Sequence, residues 1–241
     1  STVMKARKDG IELGHIRNAM EKDGVALLRL VRWMDSEIRS GNLTEHAVGE
    51  RLAAYRAEQE GYFGESFPAI AGYEGNGAIV HYRPAAVGSA TLQQRGVFLL
   101  DSGGQYLDGT TDITRTFALG DIPEGAAKAY TLVLKGHIAV AKAKFPVGTV
   151  GYQLDPLARM FLWAHGLNYG HGTGHGVGYF LNVHEGPQGI APVANPRSRT
   201  ALEPGMIISN EPGYYASDSY GIRIENLVVV VEGETTRSGK F

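Results

Sequence analysis

The sequence predicts an α+β fold in two halves, each running helix, helix, strands, with a polar site between them. Three observations carry this reading. Helical periodicity opens each half and then gives way to strand-like patterns. Each half closes on two strands, and each of those strands bears one carboxylate. The 33 glycines gather beside the polar motifs, where tight turns and close backbone approach are needed. The division falls at about residues 1–121 and 122–241, within a single domain. The halves share element order, not sequence identity.

In the first half, Ile16, Met20, Leu27, Leu30, Val31, Met34 and Ile38 recur at helical spacing and predict an amphipathic helix over 11–39. Gly24 weakens its centre. Gly41-Asn42 punctuates, and Thr44 is placed to cap a second helix that buries Val48, Leu52 and Tyr55. Short strands are expected at 67–71 and 78–82. Residues 96–101 and 112–117 read as the two arms of a hairpin-like pair. In the second half, Pro123 opens a helix that runs to 145, where Pro146 and Gly148 stop it. Asp155-Pro156 reads as cap and first turn of another helix reaching 164. Glycine-rich strand segments follow at 171–184, then strands at 206–211 and 222–231.

A chain of 241 residues with 43% hydrophobic content has enough apolar side chain for one large core or two smaller ones. A net charge of −2 leaves no electrostatic footprint for nucleic acid or an anionic membrane. No apolar run approaches the roughly 18 residues of a membrane span. The start, STVMKARKDG, is charged and has no signal-peptide core, which points to the cytoplasm. The absence of cysteine excludes disulfides, thiolate zinc sites and a cysteine nucleophile.

Four carboxylates and one histidine are spaced as a binuclear metal site: Asp101 and Asp112 in DSGGQYLDGTTD, His175 in HGTGHG, Glu211 in SNEPG and Glu225 in GIRIEN. Gathered together, the acids would carry a charge of about −4, which a protein interior does not tolerate uncompensated. Two divalent cations cancel it, and carboxylates with one imidazole suit Mn²⁺, Co²⁺ or Zn²⁺. For Asp101 or Asp112 alone, strand-end capping is the plainer reading. However, period-two alternation puts Asp112, Thr114 and Thr116 on one face of a strand in an apolar stretch, and that face needs partners. Arg223 and Glu225 likewise share a face, opposite Ile222 and Ile224, on a strand whose apolar continuation argues that it is internal. Arg223 would then brace an acidic ligand. His171, His175 and His184 lie in or near a stretch with four glycines in 172–178. His15, His46, His137 and His165 fall in helices or at their ends and read as scaffold. GTGHGVG lacks the following helix and Lys-Ser/Thr of a phosphate cradle, and there is no GxSxG elbow.

These motifs, together with HGTGHGVGYFLNVHEGP, EPGMIISNEPGYY and GIRIENLVVV, resemble the M24 metallopeptidases of pita-bread fold. The resemblance runs from about Met4 to Phe241 and is strongest to the proline-directed aminopeptidase P branch. It implies two pseudo-symmetric halves with a curved antiparallel sheet and flanking helices. It also implies that Asp101 binds one metal, that Asp112 and Glu225 bridge both, and that His175 and Glu211 complete the second ion's shell. By the same resemblance His81, His171 and His184 line the substrate site, Tyr215 and Arg223 support it, and the usual metal is manganese. The implied reaction removes the first residue of a peptide whose second residue is proline, using a water activated between the metals, with Glu211 as proton shuttle and His184 or His171 as donor to the scissile carbonyl. A prolidase acting on Xaa-Pro dipeptides and a peptide- or histone-binding module without catalysis are the alternatives. The resemblance further leads to an expectation of N-terminal domains and a C-terminal segment outside these residues, and of a homodimer in the full-length protein.

Overall fold

The computed structural model describes residues 2–241. After a short helix α1 (Thr2–Ala6), α2 spans Gly10–Glu37. Asp9 caps α2 by accepting from the amides of Ile11 and Glu12, while the Glu12 carboxylate accepts from the Asp9 amide. A turn of 3₁₀ helix at Ile38–Ser40 ends on Gly41 in the left-handed region. Thr44 caps α3 (Glu45–Ala57) through the Ala47 amide. The inner faces of α2 and α3 meet as a core of Leu27, Leu30, Met34, Val48 and Leu52. This core closes on Ala71, Phe98 and Leu100 of the sheet.

That sheet is built from β1 (Tyr62–Tyr73), β2 (Val97–Tyr106), β3 (Gly109–Thr110) and β4 (Ile113–Ala118), with β2 antiparallel to the other three. The strand expected at 78–82 does not form. Residues 74–78 are a 3₁₀ turn that packs Gly77 against the backbone at Gly72 and Gly221, and Ile79 is exposed. The apolar pair Ile79-Val80 had the composition of a strand without a sheet neighbour.

The second half opens with α4 (Ala126–Ala141), which starts later than the expected 123 because Gly125 turns left-handed before it, and which ends four residues before the expected 145. Helix α5 is Gly151–Trp163 and starts earlier than expected. Its first turn is closed by the Gln153 side chain accepting from the Val150 amide, so Asp155 is not a cap and Pro156 lies inside the helix. Asp155 instead turns inward to Arg159.

The remaining strands are short: β5 (Gly174–His175), β6 (Gly189–Ile190), β7 (Ile207–Asn210), β8 (Gly213–Ala216), β9 (Tyr220–Arg223) and β10 (Asn226–Val229), followed by a small exposed hairpin of β11 (Thr235–Thr236) and β12 (Gly239–Lys240). Two expectations change here. Most of 171–184 is loop, and the strand expected at 222–231 breaks at Ile224-Glu225. At the break the amide of Ile224 reaches back to Pro212 and that of Glu225 crosses to Thr114.

Two single bridges and one ladder join these pieces. Thr114 pairs with Glu225, β10 pairs with β7, and Ile208 of β7 pairs with Gly176 just past β5. One antiparallel run therefore passes from β1 through β2 and β4 to β10, β7, β5 and β6. Among the described residues no helix is long and apolar enough to cross a membrane.

Candidate metal centre

All five expected ligands line one cavity of 560 Å³. The sheet explains how residues so far apart in sequence converge. Asp101 of β2 faces Thr114 of β4, and Thr114 faces Glu225, so three successive strands are aligned at the site. Asp112 stands immediately before β4, and Glu211 immediately after β7. His175 ends β5, whose backbone lies so close to β7 that a Cβ on Gly174 would overlap the Ser209 carbonyl. Only glycine allows that approach.

Asp112, His175 and Glu225 each offer a ligand atom, and the three atoms lie within 4.8 Å of one another. Glu211 joins them, its Oε1 being 3.2 Å from His175 Nε2, while Asp112 Oδ2 is 3.4 Å from the same nitrogen. His175 Nδ1 lies 3.1 Å from the Gly176 carbonyl, so the Nδ1 proton is donated there and Nε2 faces the carboxylates. Asp101 stands beside Arg223, whose Nη2 and Nε donate to Oδ2 at 2.7 and 3.2 Å. The other oxygen, Oδ1, is buried with no partner among the described residues.

The charge state of these groups fits a site made for cations. Burial, then the neighbouring Glu225 and Asp101, pushes the Asp112 carboxyl well above the ordinary range. Burial, then Asp101 and Glu211, does the same to Glu225. Burial raises Asp101 as well, against the pull of Arg223. Glu211 goes the other way: burial opposes its charge, but the hydrogen bond and charge of His175 outweigh it and hold the pKa to about 2. Burial also opposes charge on His175, and Glu211 prevails there too, raising its pKa. The shifts favour the charged form of His175 and the neutral forms of Asp112, Glu225 and Asp101, the pattern expected of acids gathered for a compensating cation. A crowd of carboxylates, one orphaned carboxylate oxygen and an imidazole with Nε2 turned inward form an oxygen-rich donor set that suits a pair of divalent ions.

The supporting residues are placed more specifically than the sequence allowed. Arg223 Nη1 donates to the Tyr215 hydroxyl at 2.7 Å, and that hydroxyl lies 2.8 Å from His171 Nε2. His171 Nδ1 is 2.7 Å from the Gly172 carbonyl and must donate to it. Nε2 therefore accepts from Tyr215, and both ring nitrogens of His171 are engaged. His184 is exposed, its ring 4.2 Å from that of His175, with no hydrogen-bond partner among the described residues. Desolvation in the cavity, then His175, lowers its pKa and keeps it neutral. His81 is also exposed at the cavity wall. Of the two histidines proposed as carbonyl donors, only His184 has a free ring N–H.

Sequence reasoning missed two buried ion pairs that hold the neighbours of the ligands. Arg56 of α3 pairs with Asp23 of α2, and both are fully buried. Arg56 donates to Ser102, next to Asp101, and Thr111, next to Asp112, donates to Asp23. In the second half Arg159 pairs with Asp155 at 2.6 Å. Thr173 donates to Asp155, and Arg159 donates to the His171 carbonyl. The Asp155–Arg159 spacing of four residues within a helix was readable as a pair. The Asp23–Arg56 pairing had no local signal. Arg83 and Arg197, also missed, line the same cavity.

Residues 14–232 match the model of metallopeptidase family M24. A probable Xaa-Pro aminopeptidase P from Laccaria bicolor is 48% identical over 96% of this chain and 36% of its own length. Among solved structures, the X-prolyl aminopeptidase of Caenorhabditis elegans, a cytosolic enzyme with a di-nuclear active site, superposes with a TM-score of 0.91 at 41% identity, over 99% of this chain and 38% of that one. An Xaa-Pro dipeptidase from Bacillus anthracis superposes with a TM-score of 0.83 at 27% identity, over 100% of this chain and 62% of that one. The chain thus spans little more than a third of the length of the first curated relatives it matches. The fold is the pita-bread fold.

Proposed function

Because the chain belongs to metallopeptidase family M24, we propose that it is the catalytic portion of an Xaa-Pro aminopeptidase, which hydrolyses the bond before a proline at the second position of a peptide. The observation that carries this is the gathering of Asp101, Asp112, His175, Glu211 and Glu225 around one cavity, with an unpartnered carboxylate oxygen among them. Those five residues would hold two divalent ions, and we assign manganese because the donors are mainly hard oxygens. When bound, such a pair supplies Lewis acidity that brings the pKa of a water toward neutrality.

The rest of the chemistry belongs to the chain. Glu211, ionised at neutral pH, accepts the proton of the attacking water and returns it to the proline nitrogen as the carbon–nitrogen bond breaks. A neutral His184 donates its ring N–H to the oxygen of the scissile carbonyl as negative charge develops there. Tyr215 fixes His171, and Arg223 fixes both Tyr215 and Asp101, so that the cavity wall is rigid before substrate arrives. His81 contributes to the wall that holds the peptide.

Prolidase activity is the second reading, favoured by the similarity to the Bacillus anthracis dipeptidase. Hydrolysis of Arg-Pro-Pro and Arg-Pro at saturating Mn²⁺, with and without EDTA, separates the readings. Cleavage of the tripeptide before its first proline, abolished by EDTA, is the expected result. Preference for the dipeptide would favour prolidase, and cleavage of neither would remove both. A cytosolic setting is supported by the Caenorhabditis elegans relative.

A further inference from the structure

His137 sits on α4, 6% exposed, and lines a second cavity with Asn226 and Ala141 instead of the metal-site cavity. Its hydrogen bonds have one consistent assignment. Nδ1 is 3.0 Å from the Asn210 carbonyl and must carry the proton. Nε2 then accepts from Asn226 Nδ2 at 3.1 Å. The Asn226 amide cannot flip without loss, because its Oδ1 already accepts from Arg115 Nη2 at 2.8 Å. The His137 carbonyl accepts from Asn210 Nδ2 at 2.9 Å. One histidine residue thus holds two asparagines by three hydrogen bonds.

Those two asparagines occupy a particular place. Asn210 faces Asn226 in the β7–β10 register, the rung at which the pairing ends. Glu211 follows Asn210, and Glu225 precedes Asn226, so both glutamates begin where the strand ladder stops. Beyond the ladder the Glu211 amide donates to the Thr173 carbonyl and the Glu225 amide to the Thr114 carbonyl, which hold the rung from the strand side only. The imidazole bolts it to α4, and a shift of either asparagine backbone would pass directly to the glutamate beside it.

We propose that His137 is a positioning residue that fixes the separation of the Glu211 and Glu225 carboxylates and thereby sets the affinity of the site for divalent metal. This rests on the metal reading above. It gives a helix on the back of the site a role that touches neither substrate nor metal, as outer hydrogen-bonding partners do in other metal sites.

The test is calorimetric titration of the EDTA-treated, dialysed chain with MnCl₂, beside urea melts of the same samples. His137→Leu removes both ring bonds at similar volume and should weaken Mn²⁺ binding by about 10- to 100-fold. His137→Asn keeps an N–H near the position of Nδ1 and should recover most of that affinity. Val133→Ala, one turn earlier on α4 and fully buried, should lower stability with Mn²⁺ affinity unchanged. If His137→Leu does not fold, Asn226→Ala severs the Nε2 arm alone and should weaken binding in the same direction by less. His137→Leu, or Asn226→Ala in its place, binding Mn²⁺ as tightly as the parent would overturn the inference. So would an equal loss of affinity in Val133→Ala at matched stability. Failure of the parent chain to bind Mn²⁺ would overturn the metal reading and this inference together.

Discussion

Asp112→Asn should move stability and metal affinity in opposite directions. Asp112 is buried, and among the described residues its side chain accepts no hydrogen bond from a hydroxyl or backbone N–H, its polar neighbour being His175 Nε2 at 3.4 Å. Its oxygen lies within 4.8 Å of one from Glu225. Two unit charges at that distance repel by about 3.5 kcal/mol at an effective dielectric of about 20. In the metal-free chain part of this is masked, because a carboxyl takes up a proton instead of standing charged. The gain in stability should therefore be about 1–3 kcal/mol at neutral pH, growing as pH rises. Metal affinity should fall by at least about 100-fold, beyond the usual cost of losing an outer partner. Urea melts in EDTA give the first quantity and calorimetry with Mn²⁺ the second. A variant less stable than the parent in EDTA, with Mn²⁺ affinity within about tenfold, would refute the assignment of Asp112 as a ligand in a repulsive cluster.

Three further outcomes follow from the same geometry. In EDTA the parent should lose stability as pH rises above neutrality. Asp112 and Glu225 have folded pKa values raised above their ordinary 3.8 and 4.5, so their contribution is complete below those values and lost as pH rises through the folded ones. His175, raised above 6.5, adds a loss on the alkaline side, whereas Glu211 contributes above 4.5 and loses its share as pH falls toward about 2. His137, His171 and His184, lowered below 6.5 by burial, cost stability as pH falls below that value, so the decline is read above pH 7. Saturating Mn²⁺ should flatten that alkaline decline, and a metal-free stability that rises above pH 7 would contradict the shifts of Asp112, Glu225 and His175. Glu211→Gln, with metal occupancy verified, should lower kcat by about 10²- to 10⁴-fold with a smaller change in KM, whereas near-normal kcat would remove the proton-shuttle role. His184→Ala should lower kcat by about 100-fold or more, and His165→Ala, at an exposed helix end, should leave it unchanged; equal effects would mean that site and scaffold are wrongly separated.

The sequence made the helical layer and the proposed ligand set legible for physical reasons. Apolar residues at helical spacing mark the inner faces of α2 and α3, and Thr44 is a capping residue type at the start of α3. The proposed ligands stood out because acids at the ends of apolar strands need a compensating partner. What stayed hidden depends on contacts between segments remote in sequence. Nothing local in GYYA foretold β8, which exists because β9 lies beside it. Nothing local broke the run 222–231 either: its interruption follows from Glu225 crossing to Thr114, which aims the carboxylate into the cavity. His137 read as scaffold because helical position alone does not reveal Asn210 and Asn226 behind it. The choice between His171 and His184 likewise waited on Tyr215, whose hydroxyl occupies the one ring nitrogen that His171 had left.

The central claim is that five side chains from both halves of the sequence form one two-metal site. Anomalous diffraction from crystals of this chain soaked in excess Mn²⁺ tests it most directly. Two anomalous peaks should lie between Asp101, Asp112, His175, Glu211 and Glu225, with every one of those side chains turned toward them. Peaks elsewhere, or none with the five side chains directed apart, would contradict the account.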